Sequence, residues 1–253
     1  MDATSAPLAS LRSDAGVPVV VGHRGCSARL PENTLTSFLA AWHTGVTWVE
    51  ADTQPTADGV PVLLHDRDLN RTTSGHGPVR AARLRDVAAL AVRGYPGVWV
   101  PRLAELLAML TPTRALLLEL KGYHTSQQVR MVLAEIDAAG AVDRVLLQSF
   151  EVQVLRELHR ADPERPFGLL VTDLDADPVD RCRDLGARYY NPSARAVLGR
   201  PGVVPELQAG GIGVVCWTSN DPKEWDALAG AGVDGIITDT PAELLVRQRR
   251  AAG

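Results

Sequence analysis

The 253-residue sequence predicts an α/β chain folded as a TIM (β/α)8 barrel, and three observations predict it. Eight short apolar runs alternate with longer segments of helical period. Several of the runs are near-continuous Val, Leu and Ile, as strands buried on both faces of a parallel sheet should be. Eight such units in roughly 235 residues match the size of one barrel domain. A doubly wound open sheet is the alternative. It usually needs fewer strands and a Gly-rich first turn such as GxGxxG, which is absent after the first run.

The elements follow in order. Residues 1–16 are rich in Ala, Ser, Gly, Pro and Asp and read as a flexible N-terminal tail, and residues 17–253 form a single domain. The tail lacks the basic start and apolar centre of a secretory signal. The first strand is expected at 18–22. Residues 33–43 then place Leu35, Phe38, Leu39 and Trp42 on one helical face. After the strand at 47–54, the turn Ala57-Asp58-Gly59 folds 60–64 back as a hairpin. Strands at 114–121, 144–149, 167–172, 188–191, 213–218 and 235–238 alternate with helices from 103–110 through 127–139, 152–160, 179–185, 204–209 and 223–229 to 242–249. Gly45, Gly140, Gly186 and Gly210–Gly211 stand where helices should stop.

Composition narrows the function. Hydrophobic residues make up 45% and charged residues 22%, ordinary for a globular chain and unlike a disordered one. The net charge of −4 offers no basic field for nucleic acid or an anionic membrane. No apolar run is long enough for a membrane span. Cys26, Cys182 and Cys216 are too few and too widely spaced for a disulfide framework or a zinc site, so reduced thiols in a cytoplasmic protein are expected.

Barrel enzymes carry their chemistry at the C-terminal ends of the strands, and polar residues gather there. The strands end in His23-Arg24-Gly25, Glu50-Ala51-Asp52, Glu119-Leu120-Lys121, Gln148-Ser149, Asn191, Trp217 and Asp239, and the hairpin ends in His65-Asp66. Residues i and i+2 of a strand share a face, roughly 7 Å apart, so Glu50 and Asp52 point the same way. Two carboxylates inside a barrel repel and are poorly solvated, and a divalent cation resolves the conflict. With Glu119 as a third oxygen ligand and no Cys or His pattern, Mg2+ or Ca2+ is favoured over zinc. The alternative is that these acids face outward onto helix cations. Lys121 and Arg24 beside such a centre suggest an anionic ligand, most simply phosphate, although Lys121 also serves as a counter-ion for Glu119. His23 and His65 follow different strands yet should meet across one rim, where two imidazoles can divide general base and general acid duties. His43, His76, His124 and His159 are expected at the surface.

The motifs HRG, PENT, ExD, HD and ExK occur in that order, and the stretches VPRLAELL, LLQSF, VCWTSND and GVDGIITDTPAELL follow the same pattern. From about Val17 onward the chain strongly resembles the glycerophosphodiester phosphodiesterases of the bacterial, short-insert type. The resemblance implies a small insertion after the second strand, here residues 66–101, and dependence on Mg2+ or Ca2+. It implies Glu50, Asp52 and Glu119 as metal ligands, His23 and His65 as the acid–base pair, and Arg24 and Lys121 as phosphate contacts. Glu32 and Asn33, within the PENT element, support the site, with Asn33 as a helix cap; Gln148, Asn191 and Trp217 shape the pocket. Cys216 beside Trp217 departs from the commoner valine-rich form and alters packing rather than chemistry. Tyr95, Pro96, Val98 and Trp99 form either an apolar lip or an anchor for their loop.

The implied reaction is hydrolysis of a small-molecule glycerophosphodiester to sn-glycerol 3-phosphate and an alcohol. Lysophospholipase D or a cyclic-phosphate-forming lyase would share the site, and an inactive barrel acting as a binding protein is the reading from a different class. The released alcohol, the nucleophile (water or the substrate 2-hydroxyl) and the oligomeric state stay open at this point, and neither nucleic acid nor integral membrane association is expected.

Overall fold

The structure is a computed structural model that describes Leu11 and residues 16–251. The tail expected over 1–16 therefore lies outside the described residues, apart from Leu11 and Gly16. In chain order the elements are β1 (Val19–Gly22), α1 (Leu35–His43), β2 (Trp48–Pro55) and β3 (Pro61–Leu63). The insertion contributes α2 (Leu84–Val87), β4 (Ala91–Val92) and β5 (Tyr95–Trp99). Then come α3 (Leu103–Leu107), β6 (Ala115–Leu120), α4 (Ser126–Ala138), β7 (Val145–Ser149), α5 (Val152–Ala161), β8 (Phe167–Val171) and α6 (Pro178–Leu185). The chain finishes with β9 (Tyr189–Pro192), α7 (Ala194–Gly199), α8 (Val203–Ala209), β10 (Gly213–Cys216), α9 (Pro222–Ala231), β11 (Gly235–Thr238) and α10 (Pro241–Ala251).

Eight strands pair in parallel in the order β1, β11, β10, β9, β8, β7, β6, β2, and β1 closes the ring by pairing with β2. The expected hairpin is present, with β3 antiparallel to β2. Period two then sorts the barrel interior by height. Val21, Trp48, Ala115, Leu117, Leu146, Tyr189, Val215 and Ile237 form an apolar floor distinct from the larger belt between strands and helices. Leu11 is fully buried against that floor, and its backbone N–H donates to the Tyr189 hydroxyl at 2.9 Å. Two residues further along their strands, Glu50, Glu119, Gln148 and Asn191 occupy the next inward positions, and Asp52 the one after. The helices bury ordinary stripes against the belt: α4 lays down Val129, Val132, Leu133 and Ile136 at helical spacing.

Three sequence expectations change. Helix α7 was not anticipated, because its six residues are too few for a period, and its start is marked by the Ser193 hydroxyl accepting from the Ala196 N–H. Tyr95 and Trp99 are exposed on β5, and Val98 and Trp99 line a groove with Leu35, Leu84 and Arg102 on the flank of the barrel. The insertion packs on its own small core of Val62, Leu64, Leu69, Val79, Val87 and Val100 instead. His124 is buried rather than at the surface, with Nδ1 placed to donate to the Gly122 carbonyl at 3.1 Å. The three cysteines are free and buried, and burial raises the Cys26 thiol, which makes it a poor nucleophile at neutral pH.

Burial brings the His124 imidazole down to about 4 from an ordinary 6.5. Between those values the unfolded chain binds a proton that the folded chain refuses, so stability is lost as pH falls through this window, by about 3 kcal/mol. His124→Asn keeps a donor for Gly122 and should recover about half or more of the loss between pH 6.5 and 4 in urea unfolding. An unchanged loss would show that His124 does not cause it.

Candidate active site

Glu50, Asp52 and Glu119 face inward from β2 and β6, all buried, with oxygens within 4.8 Å of one another. Asp52 and Glu119 are neighbours in the β2–β6 register. Two cations reach this cluster: Arg24 Nε lies 3.1 Å from Asp52, and Lys121 Nζ lies 2.9 Å from Glu119 and 3.5 Å from Asp52. Burial opposes ionisation of Asp52, yet Arg24 and Lys121 hold its carboxyl down at about 2. Burial and the charge on Asp52 push Glu119 up to about 8, and the same two causes push Glu50 well above the usual carboxylate range. Three acids against two cations thus leave a demand for further positive charge. An oxygen-only donor set of this kind fits a hard divalent cation, which would displace the protons that Glu50 and Glu119 otherwise retain.

The loop after β1 delivers the histidine and the arginine. Gly25 has φ +90°, and a Cβ there would stand 2.5 Å from the Ser37 backbone, so only glycine permits the close crossing to α1. Arg24 and Asn33 are the described non-glycine residues with positive φ, at 51° and 56°. The strain is matched by bonds: the Asn33 side chain donates to Asp52 Oδ2 at 2.9 Å, and its Oδ1 accepts from the Asp52 N–H at 3.1 Å. Asn33 is therefore not the helix cap the sequence suggested. Thr34 caps α1, accepting from the Ser37 N–H, which leaves Asn33 free to bracket the carboxylate.

His23 stands beside Glu50, and His65 is near enough to Asp52 to feel its charge; each has a carboxylate at Nδ1, Asp239 at 2.7 Å for His23 and Asp66 at 2.8 Å for His65. A carboxylate only accepts, so Nδ1 carries the proton in both rings, which leaves the Nε2 lone pair as the one open to a further proton. His23 Nε2 lies 3.9 Å from Glu50. Asp239 also accepts from Ser27 at 2.8 Å and from Asn220 at 2.6 Å, which locks it in place. Burial, with the charges of Arg24 and Lys121, lowers the His65 imidazole despite its two acidic neighbours.

Glu32 does not touch the carboxylate cluster; it accepts from Arg24 at 2.8 Å and from both terminal nitrogens of Arg71 at 2.6 and 2.8 Å. Arg71 in turn donates twice to Asp66, at 2.6 and 2.8 Å. The chain Arg24–Glu32–Arg71–Asp66–His65 thus ties the β1 loop to the insertion. Gln54 donates to the carbonyls of Leu64, His65 and Asp66 and fixes the hairpin exit. Gln148 and Asn191 lie within the barrel below the rim, with Asn191 Nδ2 donating to Gln148 Oε1 at 2.8 Å. Asn191 fills the space above Gly168, where a Cβ would come within 2.5 Å of it. Trp217 does reach the rim: its Nε1 donates to the Asn191 carbonyl at 2.8 Å and its ring meets Phe150 edge-on at 5.2 Å. A cleft of about 940 Å3 runs outward from Glu119 and His65, lined by Arg71, Arg80, Tyr123 and Phe150 among others.

The sequence reading noted Asp239 and Asp66 at strand ends without assigning them a task, and missed Arg71, Gln54 and Phe150. Closure of β1 on β11 was the signal for Asp239, since it makes the two strand ends neighbours. No spacing rule places Arg71.

Residues 23–243 match the Glycerophosphoryl diester phosphodiesterase family. A glycerophosphodiester phosphodiesterase of Bacillus altitudinis is 30% identical over 231 residues, covering 88% of this chain and 94% of that protein. One from Caldanaerobacter subterraneus subsp. tengcongensis is 28% identical, covering 90% of this chain and 96% of that protein. Among solved structures, an Oleispira antarctica phosphodiesterase in complex with the product sn-glycerol-3-phosphate superposes with a TM-score of 0.86 at 26% identity, covering 93% of this chain and 98% of that one. The barrel and the match along nearly its whole length lead to one conclusion: this chain belongs to the glycerophosphoryl diester phosphodiesterase family and is an enzyme of that kind.

Proposed function

We propose that this site hydrolyses small glycerophosphodiesters to sn-glycerol 3-phosphate and an alcohol by histidine acid–base catalysis with a divalent cation. The observation that carries the reading is the pair of histidines, each anchored at Nδ1 by its own aspartate, beside three buried carboxylates and two cations. The product named for the Oleispira antarctica neighbour supports the choice of sn-glycerol 3-phosphate. Glu50, Asp52 and Glu119 would hold Mg2+ or Ca2+, which when bound supplies positive charge to the phosphoryl oxygens. Arg24 and Lys121 orient the same oxygens and neutralise the charge that grows on them. One histidine takes the proton of the attacking hydroxyl at Nε2, and the other gives a proton to the departing alkoxide. Asp239 and Asp66 keep both rings aimed through their bonds at Nδ1. Three buried free thiols fit a cytoplasmic enzyme.

The metal set makes a sharp prediction. Chelation should abolish turnover and Mg2+ or Ca2+ should restore it; Glu119→Gln should weaken metal binding by calorimetry, while Lys121→Met should keep the metal and lose turnover. Full activity in a verified metal-free preparation would refute the metal requirement.

His23→Asn and His65→Asn should each lower kcat by roughly 10² or more, and the double variant should lose far less than the product of the two. A multiplicative loss would mean that the rings do not share one proton-transfer sequence.

Small diesters should be preferred over lysolipids, because the exposed aromatics of β5 lie on the barrel flank and not over the carboxylates. The kcat/KM for glycerophosphoethanolamine should exceed that for lysophosphatidylethanolamine by about tenfold, a modest pocket discrimination. The reverse order would make lysophospholipase D the better description.

A further inference from the structure

The cleft leading from Glu119 and His65 is far larger than glycerol requires, so it takes the other half of the diester. Its charges are unevenly committed. Asp66 is held by Arg71, and Glu119 by Lys121. Arg80, in the insertion's short helical turn Val79–Ala81, lines the same cleft and is half-buried. Its guanidinium donates to the Lys121 carbonyl at 2.9 Å, and among the described residues no carboxylate lies within 4 Å of it. Burial alone works on Arg80, lowering its affinity for a proton with no acid nearby to restore it. Arg67, more exposed on the same cleft, is likewise outside every ion pair of the described residues. The other acids of the cleft, Asp68 and Glu151, are exposed.

A half-buried cation without a counter-ion, aimed into a substrate cleft, is a receptor for an anion that arrives with the substrate. Its position bounds the ligand. Arg80 bonds the backbone of the residue whose side chain reaches the carboxylate cluster. It therefore stands no farther from the scissile phosphate's cation, Lys121 Nζ, than that side chain plus one hydrogen bond.

We propose that the cleft selects glycerophosphodiesters whose alcohol carries its own acidic group, a second phosphate or a carboxylate, with Arg80 as the counter-ion. The proposal rests on the hydrolytic reading above and adds the substrate class to it.

The test compares three diesters of one glycerol phosphate whose alcohols share a three-carbon skeleton: glycerol 3-phosphate, glycerate and glycerol. With saturating Mg2+ or Ca2+, the wild type should turn over the two acidic substrates with kcat/KM about tenfold above the neutral one, the gain appearing in KM. Whichever acid gains more identifies phosphate or carboxylate as the group recognised. Arg80→Met should bring both ratios close to one, and Arg80→Lys should keep part of the preference. An equal fall for all three substrates in Arg80→Met would show that Arg80 merely supports the Lys121 loop and would overturn the proposal. Turnover of the neutral diester without any acid preference in the wild type would overturn it too, leaving the hydrolytic reading intact. Failure to cleave even the neutral diester would remove that reading and this one together.

Discussion

Three carboxylates buried within 4.8 Å of one another are the constraint from which the rest of the site follows. Their mutual repulsion and lost hydration would be costly unless matched, and the matching is visible residue by residue. The charges of Arg24 and Lys121 together keep Asp52 ionised, although Lys121 lies nearer Glu119, and Glu50 and Glu119 keep an appetite for protons that a doubly charged ion would satisfy. The positive φ of Arg24 and Asn33, the glycine crossing at Gly25 and the Glu32–Arg71 bridge all serve to bring cations and donors to that one volume.

Strand period explains why the acids are there at all. The inward-facing rows pass from an apolar floor to polar residues in steps of two, so Trp48 leads to Glu50 and Asp52, Leu117 to Glu119, Leu146 to Gln148, and Tyr189 to Asn191. Packing stabilises the lower part of the barrel, where Leu11 and Tyr189 close the bottom, and ion chemistry occupies the upper part. The two do not compete for the same positions.

This separation is why so much could be read from residues. Alternating apolar runs located all eight barrel strands, and period two put Glu50 with Asp52 and Glu119 with Lys121. The harder features depend on geometry across the ring. Whether Glu32 meets the carboxylates or an arginine depends on a loop path, and Arg71 joins partners 39 and 5 residues away that no periodicity relates. His124 looked superficial because it falls in a loop, yet it is buried, with Arg80 of the insertion near enough for its charge to act on it. Asn33 matched a cap by type, but a left-handed backbone turned it toward Asp52.

The bond between His23 and Asp239 spans 216 positions, joining the first strand to the residue just past the last. A ribosome making this protein therefore emits one imidazole 216 residues ahead of its aspartate. Until β11 slots between β10 and β1, the ring is open and one of the two histidines has no anchor. In the proposed mechanism acid–base competence therefore arrives with barrel closure, whereas Glu50, Asp52 and Glu119 all stand on β2 and β6, which are made well before β11.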